Sequence, residues 1–259
     1  MSRSVFEKPL IPQELLIQKI QALTSRDYKR DRALIACLSL GGFRISEVVG
    51  IKCKDYLPYL RKKKKRLQEA ATELEGSEDK LDKKRLKKVS KELSDVDRMG
   101  RVLRKRFDKD PQAWFVEPLR KYQCKKIIEN VGGVEYKFLQ FEQVTVLKRK
   151  GKITPKKSPA FPYHKEKALI KIFWEYIEPL PDDKILFLMT RRHALRIVKQ
   201  CLGDDYFNHY LRHLRITRLF GPKYNLTEQQ AKKIIGSKDT RSFEPYSHLM
   251  DSDLRNKMV

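Results

Sequence analysis

Between residues 57 and 103 the apolar side chains recur at a spacing that only an α-helix can place on one face. Leu57, Leu60, Leu67 and Leu74 fall on a/d heptad positions. Gly76-Ser77 breaks the pattern, and Leu86, Val89, Leu93, Val96 and Leu103 resume it at three- and four-residue steps. A lone helix cannot bury such a stripe, and a break in the middle lets the second half cover the first. The spacing therefore predicts an antiparallel helical hairpin over 57–110, with arms longer than about 20 Å at roughly 1.5 Å per residue. Its first arm carries six cations in a row, Arg61, Lys62, Lys63, Lys64, Lys65 and Arg66. Such a run reads either as a solvated helix face or as a basic arm lying along phosphates.

Around the hairpin the pattern is that of a packed globular chain. Helical spacing covers 12–23 (Leu15, Leu16, Ile20, Leu23), with Pro12 suited to a first turn. The stretch 28–40 is apolar nearly all round and reads as a buried core helix that includes Cys37. Gly41-Gly42 ends it, and a short helix is expected from Ser46 through Ile51. From 136 to 163 the period changes to two, at Phe138, Val144, Val146 and Ile153. Lys148-Arg149-Lys150-Gly151-Lys152 reads as a hairpin tip, and Pro155, Pro159 and Pro162 confine the second run to an edge. Helices follow over 164–178, about 190–201 and 207–220. A last one opens with the capping box Thr227–Gln230 and stops at Gly236. The expected fold is mainly α with one small antiparallel β-sheet (α+β).

The 58 Lys and Arg against 33 Asp and Glu leave a net charge of +25 among 259 residues, with an isoelectric point near 9.9. A hydrophobic share of 40% supports a real core and argues against a disordered polycation. The charge points to a polyanion partner, foremost nucleic acid. No apolar run approaches the ~20 residues of a membrane span, and no secretory leader is legible, so neither a membrane partner nor export is expected. Cys37, Cys53, Cys124 and Cys201 lack CxxC spacing and have no histidine close by, so a zinc finger is not expected. Nucleotide-loop and HExxH patterns are absent, so neither a cofactor nor a metal is expected, nor a small-molecule substrate.

Four local patterns carry chemical potential. In Gly42-Phe43-Arg44-Ile45-Ser46-Glu47, an arginine follows a Gly-Gly break, with a glutamate three residues on. The basic tip 148–152 is the second. His209-Tyr210-Leu211-Arg212-His213 puts His209 and Arg212 at i and i+3 on one helix face. Gly236 is followed by Tyr246 ten residues later. Each alone has a plain structural explanation: an ion-paired arginine, a solvated loop, surface decoration, a packed tyrosine.

Together and in this order they resemble the tyrosine recombinase (phage integrase) family, whose first motif opens Gly-x-Arg-x-Ser-Glu, as Gly42 to Glu47 do. The resemblance covers most of the chain outside 57–135. It implies a tyrosine-recombinase-like catalytic domain over 1–259 with the basic hairpin inserted in it. It also implies a reaction on duplex DNA in which Tyr246 attacks phosphorus to form a 3′-phosphotyrosine, without metal or nucleotide. Arg44 and Arg212 would clamp the phosphate oxygens through planar bidentate donors, and His209 would hydrogen-bond the phosphate or take a proton. A lysine of the tip would protonate the leaving 5′ oxygen: Lys150, which precedes Gly151, with Lys148 and Lys152 as alternatives. Glu47 would buttress Arg44.

Two departures stand out. Ser237 occupies a position where the family usually carries His or Trp; Ser can donate one hydrogen bond to phosphate but is no cation, so either activity is lowered or His213 or His248 compensates. Only about 27 residues precede the first core helix, where relatives carry a DNA-clamping domain; either the chain is a fragment or the 57–107 hairpin is the clamp. Met250, Leu254 and Met258 recur every four residues, which fits a short amphipathic C-terminal helix or equally a frayed terminus; the resemblance implies that such a tail docks on a neighbouring protomer. The implied assembly is a synaptic tetramer on DNA, in the cytoplasm and at the nucleoid of a prokaryotic host. The insertion and composition suggest an archaeal virus or plasmid. Relaxation of supercoils in the manner of a type IB topoisomerase, and non-catalytic DNA binding on the same scaffold, are the competing expectations. Membrane-surface binding through Arg61–Arg66 lacks a flanking apolar helix face.

Overall fold

The computed structural model describes residues 10–147, 153–156, 161–206, 208–221 and 223–235. In chain order the elements are α1 (Gln13–Gln21), α2 (Tyr28–Gly41), α3 (Ile45–Val49), β1 (Ile51–Lys52), α4 (Cys53–Leu74) and α5 (Lys80–Lys109). Then come β2 (Trp114–Val116), β3 (Cys124–Val131), β4 (Val134–Phe141), β5 (Val144–Leu147), β6 (Ile153–Lys156) and β7 (Phe161–Pro162). The remaining helices are α6 (Tyr163–Ile177), α7 (Arg191–Leu202), α8 (Asn208–Phe220) and α9 (Glu228–Ile235). The described residues divide into two units, one drawn from 10–49, 118–144 and 155–235, the other from 50–117 and 145–154.

In the first unit, α2 is the centre. Its run Ala33 to Gly41 is entirely buried, as expected of a helix apolar on every side. It packs against α6, α8 and α7. Phe43, Phe141, Phe161 and Phe173 extend this core, and the Phe43 and Phe141 rings meet edge to face at a centroid separation of 5.0 Å. Ile11 ties the N-terminal segment to α8: its N–H donates to the Tyr210 hydroxyl at 3.0 Å, and its carbonyl accepts from Arg218 at 3.2 Å. The capping box at α9 is present on both sides, with Thr227 N–H donating to Gln230 Oε1 at 2.9 Å and Gln230 N–H to Thr227 Oγ1 at 3.3 Å.

In the second unit, α4 and α5 form the helical hairpin. Leu57, Leu60, Val96, Met99 and Leu103 close its seam next to Phe115 and Val116. The first arm starts at Cys53 and takes Pro58 into its second turn. There the missing N–H and the ring are best tolerated near a helix start.

The β-structure departs from expectation. Among the described residues three small sheets replace the single one: β1–β2 and β3–β4–β7, both antiparallel, and β5–β6. The longest pairing is β3 with β4, from Cys124↔Phe141 to Val131↔Val134, closed by Gly132-Gly133 with φ of 61° and 81°. Two left-handed residues in a two-residue loop match the right-handed twist of the strands. β3 was missed because most of it is exposed, so no apolar alternation marks it. The period-two run is two separate strands, since Gln143 turns the chain at φ 50° between β4 and β5. The short helix after Arg44 stops at Val49 rather than Ile51. Gly50 takes φ 73° and Ile51 pairs with Val116 instead.

Candidate functional site

The Gly41-Gly42-Phe43-Arg44 turn presents Arg44 by a local mechanism. Phe43 folds back over Gly41 so closely that a Cβ there would lie 2.0 Å from its ring. Gly42 adopts φ 57°, a left-handed cap of α2 that L side chains rarely take. With Phe43 swallowed by the core, Arg44 comes out at the start of α3, its side chain 45% exposed. Glu47, itself buried, holds it twice. One carboxylate oxygen accepts the Arg44 backbone N–H at 3.1 Å, and the other accepts Arg44 Nη1 at 2.8 Å. The first contact is the glutamate half of a capping box; the second fixes the guanidinium.

α8 supplies the opposite side. Arg212 is buried, and its Nη1 donates to the Gly42 carbonyl at 2.7 Å, across 170 residues of sequence. The bond satisfies an otherwise orphaned helix-end carbonyl and seats Arg212 beside the turn that carries Arg44. Charge couplings place Glu47, Arg44, His209 and Arg212 in one neighbourhood. Burial, opposed by Glu47 and aided by Arg44, pushes Arg212 down to about 10, so it stays cationic at neutral pH. Desolvation, then the Arg44 and Arg212 charges, lowers His209 below the usual histidine range although solvent still reaches it. His213, one turn on with its ring 6.2 Å from that of His209, is pushed down to about 4 by burial, then by His209 and Arg212. At neutral pH the cluster thus sets a cationic Arg212 and two neutral imidazoles beside the Arg44–Glu47 ion pair. Such a site attracts an anion and offers a proton acceptor next to it.

Beneath this cluster lies a buried network that the sequence reading missed. Arg215 is 1% exposed and Glu166 fully buried; Arg215 Nη1 donates to Glu166 Oε1 at 2.5 Å. The Tyr224 hydroxyl donates to the same oxygen at 2.6 Å, and Gln13 Nε2 to the other at 3.0 Å. The guanidinium lies against the faces of Tyr224 and Phe161, at 4.9 and 5.1 Å. The Arg215 stem packs below Gly42, where an added Cβ would come within 3.3 Å of Arg215 Cγ and 2.7 Å of Ile235 Cδ1. Gly42 is thus held between two arginines of one helix. The available signal was a cation flanked by Leu214 and Ile216 within α8; its partner 49 residues away has no local signature.

The structure therefore brings together Arg44, Glu47, His209 and Arg212, with His213 beside them. Lys148, Lys150, Lys152, Ser237, Tyr246 and His248 lie outside the described residues, as does the tail with Met250, Leu254 and Met258. The run Arg61–Arg66 belongs to the other unit. There Lys63 and Lys64 reach across to Glu92 and Asp97 of α5 at 3.6 and 2.7 Å, Lys65 lies 3.9 Å from Glu69, and Arg61, Lys62, Lys65 and Arg66 are exposed. The four cysteines are free and buried. Among the described residues no trio of His, Cys, Asp or Glu gathers in a way that could hold a metal, and no helix is long and apolar enough to cross a membrane. No family model, curated protein or solved structure matches the chain.

Proposed function

We propose that this chain cleaves and rejoins duplex DNA as a site-specific recombinase of the tyrosine kind, with Tyr246 as nucleophile. The observation that carries this reading is the bond from Arg212 to the Gly42 carbonyl. It seats the HxxR arginine against the turn bearing Arg44, so two guanidinium groups from distant stretches can share one phosphate.

The chemistry follows from that pairing. Arg44 and Arg212 neutralise the charge that grows on the non-bridging oxygens as phosphorus becomes five-coordinate. The loss of one such preorganised donor typically costs about 3–4 kcal/mol of barrier. The phenol, ordinarily near pKa 10, gives up its proton during attack, and neutral His209 can accept it. The Tyr246 Oη–P bond forms as the P–O5′ bond breaks, and a tip lysine, Lys150 first, returns a proton to the departing 5′ oxygen. The phosphotyrosine conserves the ester bond, so a 5′-hydroxyl from the same or a second duplex can reverse the step. Glu47 keeps Arg44 oriented and touches no DNA.

The test is covalent trapping on a nicked duplex, resolved by denaturing electrophoresis. The unchanged chain yields a protein–DNA adduct; Tyr246→Phe yields none while binding the duplex equally well, and Arg212→Gln lowers the adduct rate at least a hundredfold. An adduct that persists in Tyr246→Phe removes the nucleophile assignment. No adduct in the unchanged chain at any salt leaves a DNA-binding protein on this scaffold.

A further inference from the structure

The helical hairpin carries a second basic feature that the proposed chemistry does not use. Between α4 and α5 lies a cavity of about 460 Å³. Leu57, Leu60 and Val96 form its apolar floor. Arg61 and Lys64 from the first arm, and Arg101 and Arg104 from the second, stand round it with Asp97 and Gly100. Lys64 sits 2.7 Å from Asp97, and this carboxylate cancels its charge. Arg61, Arg101 and Arg104 are exposed, and among the described residues none of the three lies within ion-pair distance of a carboxylate.

Gly100 is the second observation. It stands inside a 30-residue helix, where glycine weakens the helix relative to alanine. No packing demands it: nothing lies within 4 Å of the point a Cβ would occupy. What the missing side chain leaves is open surface beside Arg101 and one turn before Arg104. A bulky residue would stand in the groove among the guanidinium groups.

We infer that this groove binds the phosphate backbone of duplex DNA, an interaction that rests on the reading of the chain as a DNA strand-transfer enzyme. Three unpaired guanidinium groups arranged along two helices suit successive phosphates better than one small anion, because each planar fork takes a phosphate in two hydrogen bonds. The surrounding segment 57–110 holds 19 Lys and Arg against 11 Asp and Glu, so the field around the groove has the same sign. Arg101 and Arg104 belong to the groove as much as the conspicuous run 61–66 does. Asp97 works against it, by occupying Lys64 and by facing the phosphates.

The experiment measures binding of the full chain to a short fluorescent duplex by anisotropy, in NaCl from about 50 to 200 mM, where phosphate contacts dominate the salt response. The double variant Arg101→Gln/Arg104→Gln should flatten the plot of log K against log[NaCl] by about 1–2, at roughly 0.9 per lost phosphate contact, and weaken binding about tenfold at the lower salt. Gly100→Glu should weaken it as well, whereas Gly100→Ala should leave it unchanged. Asp97→Asn should tighten it a few-fold by releasing Lys64. Far-ultraviolet circular dichroism checks that these surface variants keep their helices. If the double variant binds duplex DNA with unchanged slope and affinity, the groove is not a phosphate site, and the strand-transfer reading stands untouched. If the unchanged chain itself fails to bind duplex at about 50 mM salt, that reading fails as well. Loss of double-stranded RNA binding alone, with DNA binding intact, would overturn the choice of DNA.

Discussion

At the scale of single residues, the most exacting demand is the charge buried under the site. Arg215 and Glu166 are shut away from water, and their attraction offsets desolvation only because Tyr224 and Gln13 also serve the carboxylate. Burial by itself would raise the Glu166 pKa; Arg215 and then the Tyr224 hydroxyl outweigh it, and the group ends below the usual carboxylate range. A carboxyl that holds its proton less readily folded than unfolded stabilises the fold fully above its unfolded value, about 4.3. That contribution is lost as pH falls through the depressed folded value. Glu166→Gln keeps the shape but strands the Arg215 charge, and should destabilise by about 3–5 kcal/mol at pH 7. It should also flatten the acid limb of the stability curve, because its amide takes up no proton. Urea midpoints at pH 7 and in steps below pH 5 check both effects, and an acid limb as steep as before would refute the assignment. Sequence alone exposes such residues unevenly. Arg44 and Glu47 are legible because their relation is local, an arginine at a helix start with a glutamate three residues on. Arg212 is legible as a helical partner of His209. The Gly42 carbonyl that joins the two halves is a backbone atom with no sequence signature, and Glu166 looks like any surface glutamate near a helix start.

The elements were readable in proportion to how strongly burial patterns them. α2, α4 and α5 bury a continuous face or stripe, and their periodicity stands out in the chain. β1 and β2 are two and three residues long, too short to show any period. β3 is hidden for another reason: its ladder to β4 is held by backbone bonds while most of its described side chains, Ile128 among them, remain in solvent. The hairpin β3–β4 therefore depends on its turn more than a buried one would. Gly132 and Gly133 both have positive φ, where an L side chain costs roughly 1–2 kcal/mol per residue. Replacing both by Ala should destabilise the first unit by about 2–3 kcal/mol, and Gly132→Asn alone should be nearly neutral, since Asn-Gly suits the same turn. Thermal unfolding of the three chains compares them; a double-alanine chain as stable as the original would mean the loop adopts another geometry. Neither glycine has any atom within 4 Å of its missing Cβ, so backbone conformation is the only quantity the substitution changes.

At the scale of the whole molecule, the +25 charge acts on folding and binding at once. Like charges spread over one surface repel in the compact state, and the repulsion is screened over about 10 Å at 0.1 M salt. Buried pairs such as Arg215–Glu166 lie beyond the reach of that screening, whereas exposed pairs such as Lys65–Glu69 and Lys171–Glu175 contribute little at any salt. Added NaCl should therefore stabilise this chain. Relief of about 1–2 kcal/mol of repulsion between 0.05 and 0.5 M would raise the unfolding temperature by roughly 2–8 °C for a chain of this size. A polyanion should do more than equal ionic strength of NaCl, because it binds the folded surface and shifts the equilibrium by mass action. Duplex DNA should follow heparin at low salt and lose its effect as NaCl rises, since the counterions released on binding are then replaced at greater cost. Scanning fluorimetry over a salt series, with and without each polyanion, separates screening from binding. A midpoint that falls as NaCl rises would mean that surface ion pairs outweigh repulsion. A rise identical for heparin and for NaCl of equal ionic strength would mean that the excess charge is not gathered into any surface that recognises a polyanion.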